Sequence, residues 1–225
     1  MKTPYGGADP TAGSGAPPPA LNRLGYSERI AREFAAAAVQ GSPARIVERH
    51  PSHCRVHTGS TLALARPAPG GPPLAALAVG DWVLVAPASA SGDDDLLVHL
   101  RAPRSSELVR VEPSGARQAL VVNVDVAFLV MGLDGDFSPR RLERYLALVG
   151  AAGVVPVIVL TKADECRDAH AALDVLAARL PSSIDRIALD ARSAAAVAPL
   201  EAYLGRGSTG VLLGSSGAGK STLTN

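Results

Sequence analysis

The sequence contains few cysteines, little net charge and no long apolar run. Its two cysteines, Cys54 and Cys166, lie far apart and lack the spacing of metal ligands, which favours a reducing cytoplasm. A formal net charge of +1 at pH 7 gives no overall attraction to nucleic acid or membranes, so any basic surface must be local. No stretch approaches the roughly 20 apolar residues of a membrane span, and no signal-peptide pattern opens the chain. We therefore expect a cytoplasmic monomer without a membrane partner.

Lysine is also scarce. Lys2, Lys162 and Lys220 are the only lysines, and the rest of the 22 basic residues are arginines. Lysine differs from arginine in being a compact point charge on a flexible stem. Because Lys162 and Lys220 lie in the two segments that we assign below to ligand contact, their rarity supports those assignments.

The chain has 225 residues, 47% of them apolar and 19% charged, which is enough for two modest domains with packed cores. We predict a disordered tail over residues 1–24, because the first of these are rich in Gly, Pro, Ala and Ser. Residues 25–117 are predicted to form a helix and a β-barrel, and residues 118–225 an α/β domain. The helix should begin after Ser27 and end at residues 41–43, where Gly, Ser and Pro follow in turn.

Between residues 44 and 111, apolar and polar residues alternate in short segments that are separated by turn residues. This pattern predicts short antiparallel strands, and five of them suggest a partly open barrel such as the oligonucleotide-binding (OB) fold. The candidate strands are residues 45–48, 54–57, 61–64, 82–85 and 96–100.

The sequence leaves open whether this barrel binds nucleic acid. Four arginines near its end are able to follow a phosphate backbone, but an ordinary solvated surface explains them equally well. These are Arg101, Arg104, Arg110 and Arg117. Trp82 could stack on a base, although a single tryptophan in an apolar strand is more often a core residue.

Three histidines and a cysteine lie close together in the barrel sequence, at positions 50, 53, 54 and 57. A metal site is one interpretation of this group. Alternation along a strand argues against it, because neighbouring side chains would point to opposite faces.

From residue 118 onwards, apolar strands alternate with amphipathic helices. The predicted strands span residues 124–131, 154–160, 184–189 and 209–213, and the predicted helices follow Ser138 or span 168–180 and 197–204. Such alternation predicts an α/β fold with a parallel sheet and helices on both of its faces.

Residues 214–221 read Gly-Ser-Ser-Gly-Ala-Gly-Lys-Ser, which fits the phosphate-loop pattern G-x-x-x-x-G-K-[ST] at every fixed position. An apolar strand precedes the loop and a potential helix follows it, as such a loop requires. The alternative is a Gly/Ser-rich surface turn. In the first interpretation Lys220 reaches the β- and γ-phosphates and Ser221 holds Mg²⁺, so these two are the predicted catalytic residues. The predicted phosphate-binding residues are Gly214, Ser215, Ser216, Gly217, Ala218, Gly219, Lys220, Ser221 and Thr222.

A second candidate segment, Thr161, Lys162, Ala163 and Asp164, directly follows an apolar strand, where ligand crevices form in open α/β sheets. Asp164 could accept two hydrogen bonds from guanine, whereas adenine lacks that pair of donors. The stem of Lys162 could lie along the base while its ammonium braces the phosphate loop. Thr161 offers a hydroxyl where such sites often have an asparagine amide. The alternative is a helix-capping aspartate beside a chance lysine.

These segments, in this order, resemble the bacterial ribosome small-subunit-dependent GTPases, a circularly permuted family in which the guanine segment precedes the phosphate loop. The resemblance runs from about residue 44 to residue 225, and its matching stretches are 79–83, 123–125, 140–146, 156–164 and the phosphate loop with residues 222–225. It implies an OB-fold barrel, a permuted GTPase domain, and GTP or GDP with Mg²⁺ as ligands. It also implies that the barrel binds the small ribosomal subunit and its rRNA late in maturation.

Two departures from the family pattern are visible. The Ser-Ala pair that backs guanine corresponds here to Asp190 and Ala191. Ala191 still offers its N–H to the base, but Asp190 adds a second carboxylate, so we expect weakened guanine affinity. The sequence also stops at Asn225, before the family's switch threonine, D-x-x-G segment and zinc-binding domain.

The second departure carries its own expectations. The P-loop GTPase domain would be incomplete at its C-terminus. Zinc is expected only in the zinc-binding domain, which lies beyond Asn225 in the family pattern. The strand at residues 209–213 should form an exposed edge, and GDP binding should be weak and GTP hydrolysis negligible.

Three functions are compatible with these observations. The first is a GTP-hydrolysing assembly factor of the small ribosomal subunit, and the second is an RNA-binding module with a vestigial nucleotide domain. The third is an ATP-dependent P-loop enzyme, which competition between GDP and ADP would distinguish. No residue stands out as a general base for any of them.

Overall fold

The computed structural model describes residues 19–37, 39–88, 95–111, 115 and 117–225. Most of the predicted tail, residues 1–18, lies outside this part of the chain.

Residues 19–24 correct the prediction of a tail up to residue 24. Pro19–Asn22 form a short helix, α1, and Leu21 is buried. Leu21 belongs to the same apolar cluster as Tyr26 and Trp82, and this burial offsets the entropy of ordering the segment.

The predicted helix after Ser27 is present as α2, Glu28–Ala35. Ile30 and Phe34 are buried on its inner face, as the sequence pattern predicts. Ser27 occupies the N-cap position without a side-chain capping bond. The helix ends before residues 41–43, and Ser42 and Pro43 already belong to the first strand, where they pair with Val85 and Leu84.

Within the described residues, five strands close a barrel in the order β1-β2-β3-β5-β4. All neighbours are antiparallel except β3 and β5. Small and branched side chains alternate into its interior, as a small barrel requires, and the predicted barrel is confirmed. The strands are β1 (Ser42–Arg49), β2 (Cys54–His57), β3 (Leu62–Pro67), β4 (Trp82–Pro87) and β5 (Leu96–Arg101).

A hairpin that the sequence did not reveal follows the barrel. Its strands are β6 (Glu107–Val111) and β7 (Arg117–Val122), and β7 begins at the boundary predicted between the two domains. Residues 119–133 are mostly apolar and are broken only at Asn123 and Asp125, so the end of one strand and the start of the next are hard to separate in the sequence. Leu108 of the hairpin is buried in the core of the following sheet, so the hairpin packs against the α/β half.

Asn123 joins the two halves. Its side chain donates a 2.9 Å hydrogen bond to the backbone oxygen of Gly80 in the barrel and accepts a 2.8 Å bond from the backbone N–H of Ser105. Its φ of 54° lies in the left-handed region, which asparagine tolerates better than most residues. Arg45, which lies over the ring of Trp82, donates to the backbone oxygen of Asn123 at 3.2 Å. The joint is therefore held by polar contacts from both sides.

The second half of the described chain forms a four-stranded parallel sheet in the order β10-β9-β8-β11. Alternate side chains of β8 and β9 enter two separate apolar cores, one on each face, and helices cover both faces. This confirms the predicted α/β fold. Its elements are β8 (Val126–Gly132), α3 (Pro139–Ala151), β9 (Val155–Thr161), α4 (Ala169–Ala177), β10 (Asp185–Ala188), α5 (Ala198–Glu201), β11 (Gly210–Leu213) and α6 (Lys220–Thr224).

Among the described strands, β11 pairs with β8 alone and forms one edge of the sheet. The predicted edge position of this strand is confirmed. In the same described ranges, no helix has the length and apolar character needed to cross a membrane.

Candidate functional site

The carboxyl ends of β9, β10 and β11 surround an open cleft of about 330 Å³. In a parallel sheet these ends meet at one edge, which is where ligands bind in open α/β folds. The predicted site residues that line the cleft are Thr161, Lys162, Asp164, Ala191, Ser216, Gly217, Gly219, Lys220, Ser221 and Thr222. Asp164 and Lys220, which are distant in sequence, therefore meet at one site.

The phosphate loop has a backbone that requires glycine. A Cβ atom on Gly214 would lie 2.1 Å from the backbone oxygen of Val130, because the loop leaves β11 directly against β8. Gly217 and Gly219 have φ angles of 78° and 90°, in the left-handed region that side chains disfavour. This curled conformation is the one that lets successive backbone amides surround a phosphate group.

The side chain of Lys220 lies across the loop to which it belongs. Its ammonium donates to the backbone oxygens of Gly214 at 2.9 Å and Ser215 at 2.6 Å. Ser221 and Thr222, which follow it at the start of α6, are exposed to the cleft. The loop thus presents one cation and two hydroxyl groups at the same end of the cleft.

Thr161 and Ala163 hold the frame of the site together. Thr161 is fully buried, and its hydroxyl donates a 2.7 Å hydrogen bond to the backbone oxygen of Ala218 in the phosphate loop. The backbone N–H of Ala163 donates a 3.3 Å hydrogen bond to the backbone oxygen of Leu189, the residue directly after β10. These contacts fix the positions of the three strand ends relative to one another.

Lys162 makes a different contact from the one predicted. Its ammonium pairs with Asp134 in the loop after β8 rather than with the phosphate loop, so the predicted bracing role is wrong and Thr161 performs it instead. Hydrogen bonding between the two side chains lowers the pKa of Asp134 and raises the pKa of Lys162. Lys162 has a φ of 58°, a strained conformation of the kind that concentrates at functional sites.

Asp136, in the same loop after β8, contacts the phosphate loop. Its carboxylate accepts hydrogen bonds from Arg141 at 2.6 Å and from the hydroxyl of Ser215. The Arg141 contact is the main reason why the pKa of Asp136 is lowered, with Ser215 contributing next. Sequence reasoning missed both aspartates of this loop. Their signal was the position of the loop, directly after an apolar strand at the edge where the other loops meet.

Arg192 contacts the carboxylate assigned to base recognition. Its guanidinium pairs with Asp164, and its Nε lies 3.4 Å from Asp190. Asp190 also accepts a 2.9 Å hydrogen bond from the backbone N–H of Arg192, which is the first cause of the lowered pKa of Asp190. Asp190 is therefore paired with Arg192 and is not the free second carboxylate that the sequence suggested. Arg192 and Glu165 also line the cleft, and sequence reasoning assigned neither of them.

The four arginines at the end of the barrel differ in their contacts. Arg104 makes hydrogen bonds of 2.7 Å to both carboxylate oxygens of the fully buried Asp81, and Arg101 lies 3.7 Å from the same group. Arg110 and Arg117 are exposed on the hairpin. Arg104 and Arg101 are thus engaged with a buried carboxylate, and phosphate binding by the four arginines stays a prediction.

Trp82 is a core residue, with 1% of its surface exposed and its ring centroid 5.0 Å from that of Tyr26. The interpretation of Trp82 as core is confirmed.

Of the group around residue 54, His50 and His53 stay together, with ring centroids 4.6 Å apart. Cys54 points into the barrel interior, where burial raises the pKa of its thiol to about 11. His57 is only half-buried, and its Nδ1 accepts from the backbone N–H of Gly59. Among the described residues no set of three or more His, Cys, Asp or Glu side chains converges as metal ligands.

A barrel joined to a parallel sheet, with the segment at residues 161–164 before the phosphate loop in the chain order, defines a circularly permuted P-loop fold. The structure resembles YjeQ from Thermotoga maritima (TM-score 0.63, 20% identity, 83% of this chain and 64% of that chain). It also resembles YloQ, described as a circularly permuted GTPase (TM-score 0.57, 22% identity, 83% of this chain and 64% of that chain). At 20% and 22% sequence identity, these two structures show similarity of fold alone.

Sequence comparison adds the family. The model of the RsgA GTPase family matches residues 101–225, more than half of the chain, and the chain belongs to this family. The protein named small ribosomal subunit biogenesis GTPase RsgA from Xanthomonas oryzae pv. oryzae (strain PXO99A) is 40% identical over 222 residues, covering 92% of this chain and 59% of its own. The protein of the same name from Xylella fastidiosa (strain 9a5c) is 42% identical over 200 residues, covering 83% of this chain and 54% of its own. The chain thus spans little more than half the length of these relatives.

Proposed function

We propose that this chain is the barrel and guanine-nucleotide-binding portion of a cytoplasmic, GTP-hydrolysing factor in biogenesis of the small ribosomal subunit. The observation that carries this proposal is that Asp164 and Lys220 line one cleft. The relatives named for small-subunit biogenesis supply the biological setting.

Asp164 is proposed to read the base. Its carboxylate lies at the end of the cleft formed by β9 and β10, where Ala191 also lines the wall. Two guanine donors, the ring N–H and the exocyclic amine, match the two oxygens of a carboxylate, whereas adenine offers no such pair. Binding guanine would pair both of these donors with the carboxylate, so the site should favour GDP over ADP.

The phosphate loop is proposed to bind the phosphates of the same nucleotide. Lys220 would exchange its bonds to Gly214 and Ser215 for phosphate oxygens, since charge-assisted bonds are the stronger ones. The exposed hydroxyl of Ser221 is a hard oxygen donor of the type that Mg²⁺ prefers, and a phosphate-bound Mg²⁺ needs few protein ligands. When bound, Mg²⁺ would neutralise charge on the phosphates.

GTP hydrolysis by this chain alone is proposed to be slow. The carboxylates that line the cleft are Asp164, Glu165 and Asp190, and all three lie near the guanidinium of Arg192 at the base end. None of them is free to orient water at the phosphate end, and positioning of that water supplies much of GTPase catalysis. We propose that nucleotide binding exceeds turnover in this chain.

The barrel and hairpin are proposed to contact ribosomal RNA. Arg66 on β3 has 60% of its side chain exposed, and Arg110 and Arg117 are exposed on the hairpin. Exposed arginines can neutralise backbone phosphates without base contacts.

A second candidate function is an RNA-binding module with a vestigial nucleotide domain. The contact of Arg192 with Asp164 favours it, because this contact occupies the group proposed to read guanine.

One set of measurements tests these proposals. The chain is titrated with fluorescent GDP, with unlabelled GDP and ADP as competitors, and phosphate release from GTP is followed in parallel. We expect GDP to compete at least tenfold better than ADP, with little phosphate release. Absence of GDP binding together with binding of small-subunit rRNA would support the module instead, and equal competition by ADP would contradict guanine recognition.

A further inference from the structure

The carboxylate proposed to read guanine is already engaged by an arginine. Arg192 follows β10, directly after Ala191, and its guanidinium pairs with Asp164. Arg192 is 65% exposed and Asp164 is 30% exposed, so the contact forms at the open mouth of the cleft. All of these residues line the same cleft.

Arg192 presents to Asp164 the same kind of donor that guanine would present. A guanidinium offers parallel N–H groups that match the two oxygens of a carboxylate, and the guanine edge offers its ring N–H and exocyclic amine. In the structure, Nη2 of Arg192 contacts Oδ2 of Asp164 alone. The two donors of guanine need both oxygens of this carboxylate, so base recognition by Asp164 requires Arg192 to release Oδ2.

A second partner for Arg192 is in place. Asp190 accepts the backbone N–H of Arg192 at 2.9 Å and lies 3.4 Å from its Nε, and Glu165 lies 3.9 Å from its Nη2. These contacts keep the guanidinium close to carboxylates when it loses Asp164. Because exposed ion pairs are weak, the exchange between partners is a small free-energy change.

We propose that Arg192 is a specificity-determining gate that competes with guanine for Asp164, and that Asp190 holds Arg192 aside when guanine is bound. The inference rests on the proposed function, because it assumes that Asp164 reads guanine. Asp190 would then be the alternative ion-pair partner of Arg192. This would explain why an aspartate replaces the serine of the Ser-Ala pair in the family pattern.

Two substitutions with opposite expected effects test the gate. Arg192→Gln removes the competing charge and should tighten GDP binding about twofold to fivefold, the size expected for loss of an exposed ion pair. Asp190→Asn keeps an oxygen for the backbone N–H of Arg192 but removes the charge that draws its guanidinium away from Asp164. It should weaken GDP binding by a similar factor. Arg144→Gln, an equal charge change at an exposed position of α3, is the matched control and should leave GDP binding unchanged.

Tripolyphosphate provides a probe without a base. Its affinity for Arg192→Gln should equal that for the unsubstituted chain, because the gate acts only on the base end of the cleft. A larger change for tripolyphosphate than for GDP would mean that Arg192 acts through general charge, and would overturn the gate. If Arg192→Gln fails to fold by circular dichroism, Arg192→Lys, which lacks the planar fork, takes its place with a smaller tightening expected.

The outcomes separate the gate from the function on which it rests. Suppose that Asp164→Asn weakens GDP binding, but that Arg192→Gln binds GDP no more tightly than the unsubstituted chain. This result overturns the gate and leaves the proposed function intact. GDP binding that is insensitive to Asp164→Asn overturns both. Tightening in Arg192→Gln with weakening in Asp190→Asn supports the gate, since a purely structural role for the loop would weaken binding in both.

Discussion

The hydroxyl of Thr161 donates a 2.7 Å hydrogen bond to the backbone oxygen of Ala218, and this bond ties the segment proposed to read the base to the phosphate loop. Thr161 is fully buried and Ala218 is 2% exposed, so water cannot replace either partner. This side chain at the end of β9 therefore helps to fix the distance between the two ends of the cleft. Binding of a nucleotide across both ends, as proposed, would depend on this bond.

Thr161→Val should lower nucleotide affinity by removing this bond while keeping the shape of the side chain. The Ala218 oxygen would be left buried without this donor, a loss worth about 1–3 kcal/mol, and the phosphate loop would lose its position. We expect a drop in melting temperature and weaker GDP binding by titration. Thr161→Ser, which keeps the hydroxyl, should bind GDP nearly as well as the original, and equal losses in both variants would contradict the bracing role.

Asp164→Asn should change which base the cleft prefers. An amide can accept at its oxygen but donates at its nitrogen, so it no longer matches the two donors of guanine. Xanthine carries a carbonyl where guanine has the exocyclic amine and would accept from that amide. We expect GDP affinity to fall about tenfold or more and the affinity for xanthosine diphosphate to rise, both measured by competition. A uniform loss for all bases would indicate damage to the loop instead of altered recognition.

Asp81→Ala should destabilise the barrel strongly. Asp81 is fully buried and holds Arg104 through two 2.7 Å bonds, and breaking a buried pair on one side costs about 3 kcal/mol. The hydrogen bonds to Asp81 are also the first cause of the raised pKa of Arg104. Glu107→Ala removes the other, exposed carboxylate that pairs with Arg104 and should cost less than about 1 kcal/mol. Denaturant unfolding of the two variants would test this difference.

Acid should loosen the contact between the loop after β8 and the phosphate loop. The pKa of Asp136 is lowered from its ordinary value of 3.8 by Arg141 and Ser215. A lowered folded pKa means that the stabilisation is fully present above pH 3.8 and is lost as pH falls through the folded value. We expect the protection factors of the backbone amides of the phosphate loop, which compare the exchange rate with that of an unfolded chain at the same pH, to fall below this range. Asp136→Asn should already exchange faster at neutral pH, and an unchanged rate there would argue against the contact.

Local sequence patterns predicted the phosphate loop, the segment at residues 161–164 and the alternation of strands and helices in the α/β half. A run of glycines before Lys220 fixes a backbone conformation within a few residues, and the apolar periods of β8 and β9 reflect burial of each strand on both faces. The barrel was equally accessible, since alternating burial follows directly from alternating sequence. The hairpin β6–β7 was not, because its second strand merges in sequence with the apolar run of β8.

The sequence by itself determined the kind of loop, the order of the segments and the identity of the groups that we propose to contact a nucleotide. Only the tertiary structure decided how those groups pair: Lys162 with Asp134, Ser215 with Asp136, Arg104 with Asp81, and Arg192 with Asp164. The physical reason is that charge pairing depends on distances between side chains that are remote along the chain. The 22 basic and 21 acidic residues allow many pairings, and packing selects among them.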